Sequence, residues 1–109
     1  MTNDQKQMLQ KLHAKLVVPP HGVDHQQVAT ILGRAAKVSE EYGELMDEVM
    51  ASLGLQRADK LARYDRENLE KEYADVAISL HLLGLALGLD IDAVVAVRLR
   101  AKYHEHIQE

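Results

Sequence analysis

Two pairs of carboxylates are the residues in this chain most able to do chemistry. Glu41 and Glu44 form one pair, and Glu72 and Asp75 form the other. Residues three apart on an α-helix project from the same face, so each pair can converge on one ligand. Four carboxylates in a small volume repel one another and are costly to desolvate. Mg²⁺ removes that cost and often binds substrate phosphates too. The first hypothesis is therefore a metal-dependent phosphate enzyme, and the alternative is that these acids form an ordinary solvated helix face.

The expected chemistry is activation of a water molecule. A bound Mg²⁺ screens phosphate charge, acts as a Lewis acid and lowers the pKa of its bound water. Glu41 and Glu44 are the first candidates to orient or deprotonate that water, with Glu48 as a possible accessory residue. The sequence does not choose among the three.

Three basic residues are candidates to bind phosphate. Lys37 lies four residues before Glu41, so it either contacts a phosphate or forms a salt bridge with that carboxylate. Arg98 and Lys102 lie one turn apart on the last predicted helix and could hold a leaving pyrophosphate. The alternative for each is an ordinary solvated side chain.

Four helical segments are expected to position these residues. Hydrophobic periodicity predicts helices over residues 3–15, 25–52, 66–87 and 91–106, and residues 55–64 form a connector with a helical turn or two. Asp24 with Gln27 resembles a capping box at the start of the second helix. No alternating segment rich in Val, Ile or Thr predicts a strand. The fold class is therefore all-α and four-helix bundle-like, in a single domain of residues 1–109.

Helical projection places the acids at one edge of each apolar stripe. The stripe of the second helix comprises Val28, Ile31, Leu32, Ala35, Val38, Tyr42, Leu45, Val49 and Leu53. The stripe of the third comprises Leu69, Tyr73, Val76, Leu80, Leu83 and Leu87. Antiparallel packing along these stripes would bring the two acidic edges together.

A further apolar row on the third helix predicts self-association. Ile78, Leu82 and Leu85 lie away from Leu80 and Leu87, so the helix is apolar nearly all round. A symmetric dimer or higher oligomer would cover this row. The alternative is that residues 1–20 cover it within one subunit.

Composition and charge restrict the possible binding partners and the cellular location of the protein. The chain has no Cys, which excludes disulfides and thiolate-bound zinc. The polar N-terminus and the lack of a long apolar run predict a cytoplasmic protein that does not enter a membrane. The formal charge of −4 argues against binding a nucleic-acid backbone but allows a small nucleotide carried with Mg²⁺.

Three strings resemble the MazG-like nucleoside triphosphate pyrophosphohydrolases. KVSEEYGEL at 37–45 resembles their K-L-x-E-E-x-G-E-L helix, and EKEYADV at 70–76 resembles E-E-x-A-D-V. LGLALGLDID at 83–92 resembles the segment that leads into their last helix. The resemblance covers residues 37–106 in the family's order and approximate spacing.

The resemblance implies an all-α hydrolase that is dimeric or tetrameric and removes unwanted nucleotides from the cellular pool. Such an enzyme cleaves the α–β phosphoanhydride of a (deoxy)nucleotide, giving a monophosphate and pyrophosphate. Its metal ligands would be Glu41, Glu44, Glu72 and Asp75, holding Mg²⁺ with Mn²⁺ able to substitute. Its partners would be a nucleotide substrate and further copies of itself, with no nucleic acid and no membrane.

Three rival interpretations were weighed. A di-iron carboxylate bundle needs Glu-x-x-His, which occurs nowhere in the sequence. A phosphoribosyl-ATP pyrophosphohydrolase shares the acid pattern, but the LGLDID segment favours the MazG-like family. The third is a non-catalytic acidic helical interaction module with a vestigial metal site.

Overall fold

The computed structural model describes residues 1–17 and 24–107, and helices make up most of them. There are five: α1 (Asn3–Val17), α2 (His25–Ser52), α3 (Ala58–Leu61), α4 (Arg66–Ala86) and α5 (Ile91–His106). These residues contain no strand, which confirms the all-α class. The short α3 is the helical turn expected in the connector. The first helix, predicted over residues 3–15, lies within α1.

The helix ends follow from capping chemistry. Asp24, Asp65 and Asp90 precede α2, α4 and α5, and each carboxylate accepts a hydrogen bond from a backbone N–H of the first turn. After α2 and α4, Gly54 and Gly88 adopt positive φ angles of 73° and 69°. Glycine takes this left-handed conformation without steric cost, so both helices stop where the sequence predicts.

The body of the molecule is an antiparallel pair formed by α2 and α4. Asn68 Nδ2 donates a hydrogen bond to Glu48 Oε1 at 2.7 Å, which fixes the register of the two helices. Ala51, which is 8% exposed, is the one buried residue with an apolar side chain in the described part of the chain. The half-buried apolar residues of the contact are Val38, Leu45 and Val49 on α2 with Leu69, Val76 and Leu83 on α4.

The contact covers only part of each predicted stripe, so the predicted core face is wrong for the rest. Tyr42 and Tyr73, placed in the two core stripes, are 55% and 68% exposed. Glu41, Glu72 and Ser79, placed at the edge, are instead buried between the helices. Each stripe is wider than one helix contact can cover. The two helices therefore meet along its acidic edge and leave the other edge uncovered.

The remaining helices extend away from this pair. At the α4–α5 corner Ile91 packs on Gly84, where an added Cβ would lie 2.8 Å from the Ile91 side chain. In the described part of the chain, α5 packs against α4 and not against α2, and α1 packs against no other helix. No single described helix is long and apolar enough to cross a membrane, although α4 and α5, bent by 109°, meet that test as a pair.

Candidate metal centre

Three of the four predicted metal ligands converge between α2 and α4. Glu41, Glu72 and Asp75 each offer one carboxylate oxygen, and these three oxygens lie within 4.8 Å of one another. The antiparallel register places Glu41 at the level of Glu72 and Asp75, while the three-residue spacing turns both α4 acids towards α2. Glu41 and Glu72 are only 9% and 8% exposed.

The buried acids leave hydrogen-bonding capacity unused. Glu41 Oε2, Glu72 Oε2 and Glu48 Oε2 are buried without a hydrogen-bond partner in the described structure. A buried carboxylate oxygen in this state costs free energy comparable to a lost hydrogen bond or more. Coordination to a divalent cation would satisfy the oxygens of Glu41 and Glu72, so the donor set fits Mg²⁺, which prefers oxygen ligands.

Glu44, the fourth predicted ligand, lies on the open side of this cluster. It is exposed, and it is absent from the three-oxygen set. The negative charge of Glu41 raises the pKa of Glu44, with smaller contributions from desolvation and from Glu72. Glu44 is therefore close enough to join a shared ion, and its raised pKa reports repulsion that a cation would relieve.

Two lysines partly neutralise the carboxylates. Lys37 Nζ lies 3.2 Å from Glu41 Oε1 and 3.5 Å from Glu40 Oε1. The hydrogen bond to Glu41, with the charge of Glu40, raises the pKa of Lys37. Lys71 Nζ lies 3.6 Å from Glu72 Oε1. Of the alternatives for Lys37, the salt bridge is the one present. The four predicted ligands and two lysines together carry four negative and two positive charges, so two negative charges remain.

Asn68 and Lys71 belong to this site but were not singled out from the sequence. Asn68 lies one turn before Glu72 and fixes the orientation of Glu48, the accessory candidate. The sequence signal for Asn68 was its position, as a polar residue, on the face of α4 that carries Glu72 and Asp75. Lys71 adjoins Glu72 in sequence, and helix geometry gave no reason to pair neighbouring side chains.

The two basic residues of α5 are not brought to the carboxylates. Arg98 and Lys102 are exposed, and α5 does not pack against α2 among the described residues. Neither residue forms an ion pair within the described chain. Their expected contact with a phosphate held at the carboxylate cluster therefore finds no support within one chain.

Comparison with known proteins gives one match. The family model of phage regulatory protein CII (CP76) matches residues 5–88, which is most of the chain. Comparison with curated proteins and with solved structures finds nothing similar.

This match overturns the enzyme hypothesis. It includes the strings at 37–45 and 70–76, so the MazG-like resemblance rests on short helical strings inside a segment that matches a regulatory family as a whole. The pyrophosphohydrolase activity, the hydrolase class, the role in nucleotide metabolism and the nucleotide substrate are therefore wrong. The exclusion of nucleic acid, which rested on net charge, is overturned by the same match. The chain belongs to the phage regulatory protein CII (CP76) family.

Proposed function

We propose that the chain is a regulatory protein that binds a divalent cation between α2 and α4 and acts on DNA as an oligomer. The observation that carries the cation site is the pair of buried, unpartnered oxygens on Glu41 and Glu72, within a cluster that also contains Asp75. Acidic residues on a protein surface are common and need no ion. Buried carboxylate oxygens without hydrogen-bond partners do need compensation.

The proposed role of the cation is structural. Mg²⁺, with Mn²⁺ able to substitute, would be held by Glu41, Glu72 and Asp75, with Glu44 completing the set from the open side. One divalent ion supplies the two positive charges that the lysines leave missing. Because the ligands come from both helices, the ion would hold α2 against α4, where few apolar side chains are buried.

Calorimetric titration with Mg²⁺ tests this site. Glu72→Gln removes one charge from the centre of the cluster, so we expect Mg²⁺ to bind at least about tenfold more weakly. Glu70→Gln is the matched control, because Glu70 lies on the same helix with a side chain that is 68% exposed. Equal Mg²⁺ affinity in the wild type and Glu72→Gln would overturn the site.

The proposed contact with DNA uses α5. Arg98 and Lys102 lie one turn apart on an exposed helix and form no ion pair within the described residues, and Arg100 adds a third positive charge nearby. Free guanidinium and ammonium groups at this spacing can contact successive phosphates of a DNA backbone. The sequence predicts that these residues bind phosphate. The proposal keeps that chemistry, but the phosphate belongs to a DNA backbone and not to a nucleotide.

Fluorescence anisotropy with a labelled DNA duplex tests this contact. The double variant Arg98→Glu/Lys102→Glu should lose most of the binding and show a shallower dependence of affinity on salt. Lys11→Glu/Lys15→Glu on α1 is the control, since it changes net charge equally at the same four-residue spacing. Equal losses in both variants would mean that net charge, and not α5, determines binding.

Self-association completes the proposal. The chain buries one apolar residue in its described part and exposes many large ones, which favours a dimer or higher oligomer. Light scattering at micromolar concentration should give a mass of at least twice 12.2 kDa. A monomeric mass would contradict it.

A further inference from the structure

The α2–α4 pair has two chemically different faces. In the antiparallel register, residues displaced in the same rotational sense from the contact lie on the same side of the pair. One side carries Leu32, Tyr42 and Leu53 from α2 with Tyr73, Leu80 and Leu87 from α4, and we call this set the apolar hairpin face. All six side chains are 48–68% exposed. The opposite side carries the polar rim of the carboxylate cluster, including Lys37, Glu44 and Lys71.

The apolar hairpin face is continuous across both helices. Glu48 and Asn68 are hydrogen-bonded, and Glu41 lies at the level of Glu72 and Asp75. The same register places Tyr42 beside Tyr73, and it places Leu80 near the level of Ala35. The other exposed apolar row, Ile78 and Leu85, comes from the back of α4 alone. The two-helix face is therefore the broader apolar surface of the pair.

The exposed area of the whole chain is large enough to include a subunit interface. The chain exposes 9212 Å², whereas a folded monomer of this mass exposes about 6,100 Å². The difference is roughly 3,000 Å², to which the exposed helix α1 contributes part. A standard interface removes only about 800 Å² from each partner. The excess is thus more than enough for a large, apolar interface of the kind found in permanent homodimers.

We propose that the apolar hairpin face binds the same face of a second copy, forming a four-helix core of two α2–α4 pairs. This inference rests on the proposed self-association and adds where the contact lies. A two-fold axis can bring the apolar sides of two such helix pairs together, so that each side buries the other. The carboxylate clusters then lie on the outer sides of the dimer, away from the interface.

The assignment corrects the row expected from the sequence to form the dimer contact. Leu82 was placed there with Ile78 and Leu85, but it is half-buried whereas they are exposed. Leu80 and Ile78 now discriminate between the two surfaces. They lie two residues apart on α4 with nearly equal exposures of 56% and 57%, on different sides of the helix.

Paired substitutions test the face. Leu80→Glu would place two unpaired carboxylates in the symmetric interface, so the dissociation constant of the dimer should rise by roughly 100-fold or more. Ile78→Glu should leave it nearly unchanged. Sedimentation equilibrium over a concentration series measures both. A larger effect of Ile78→Glu, or equal effects, would overturn the proposal for this face while leaving self-association intact; a monomeric wild type would overturn both.

Cysteine cross-linking gives a second readout that does not depend on folding of the Glu variant. The native chain has no Cys, so single Cys residues can be introduced at Tyr42, Tyr73 and Leu80, with Ile78→Cys as control. A short bismaleimide should link two copies through at least one of the first three positions and not through Ile78. Linkage through Ile78 alone would place the interface on the back of α4.

Discussion

At the scale of single residues, the main feature is the burial of acids where a core would be expected. Glu41 and Glu72 occupy the centre of the contact between α2 and α4. The types and the spacing of the four predicted ligands are visible in the sequence, so all four could be predicted without the fold. Burial could not be read there, because it depends on which edge of each apolar stripe meets the other helix.

Glu44 provides a pH-dependent test at this scale. Its pKa is raised in the folded state, chiefly by Glu41, so the folded protein binds this proton more tightly than the unfolded chain does. Ionised Glu44 therefore destabilises the fold above its folded pKa, and the penalty disappears as pH falls below the unfolded value. With a chelator present, Glu44→Gln should raise the thermal midpoint at pH 7, and the gain should vanish near pH 4.

Circular dichroism melts across this pH range measure the effect. Glu70→Gln serves as control, since it removes a charge from α4 without touching the cluster, and it should give no comparable gain. With Mg²⁺ in place of the chelator, the gain of Glu44→Gln should shrink or reverse, because the variant then lacks one of the proposed ligands. A gain that is constant with pH would show that repulsion at Glu44 is not its source.

At the scale of helices, local signals predicted the elements better than their packing. Asp24, Asp65 and Asp90 mark helix starts, and Gly54 and Gly88 mark helix ends, because these residues act on backbone groups within a few positions. At the corner between α4 and α5, Ile91 packs closely on Gly84. Periodicity does not encode such a contact, so the sequence could not show that α5 turns away from α2.

The glycine after α4 gives a test of helix termination. Gly88 has a φ of 69°, and Leu89 N donates to Gly84 O at 3.0 Å across the turn. Gly88→Ala forces a side chain into the left-handed region, so we expect a loss of about 1 kcal/mol in unfolding free energy. Gly33→Ala should act in the opposite direction, by about 0.5–1 kcal/mol, because Gly33 is helical and an added Cβ meets nothing within 4 Å. Urea unfolding measures both changes, and equal signs would contradict this account.

At the scale of the whole molecule, the family match depends on most of the chain and not on the short carboxylate motifs. The carboxylate strings occupy two short helical stretches, whereas the regulatory family matches residues 5–88. A three-residue acid spacing arises wherever a helix presents two acids on one face. It therefore predicts a local arrangement of oxygens, which the structure contains, but it does not predict the reaction or partner.

The two-sided architecture leads to a final prediction about metal removal. The carboxylate cluster lies between α2 and α4, and its polar rim is on the side opposite the apolar hairpin face. Loss of the cation should therefore loosen each pair without separating the subunits. At Mg²⁺ about tenfold above its dissociation constant, the ion contributes about 1.4 kcal/mol, which corresponds to several degrees in thermal midpoint for a domain of this size. A chelator should lower the midpoint by that amount, while the mass from light scattering stays constant. In Glu72→Gln, where binding at least about tenfold weaker leaves about 0.4 kcal/mol or less, the chelator should lower the midpoint by less than a third as much and leave the mass unchanged. A fall in mass on chelation of the wild type would mean that the cation bridges subunits, which the placement of Glu41, Glu72 and Asp75 within one helix pair argues against.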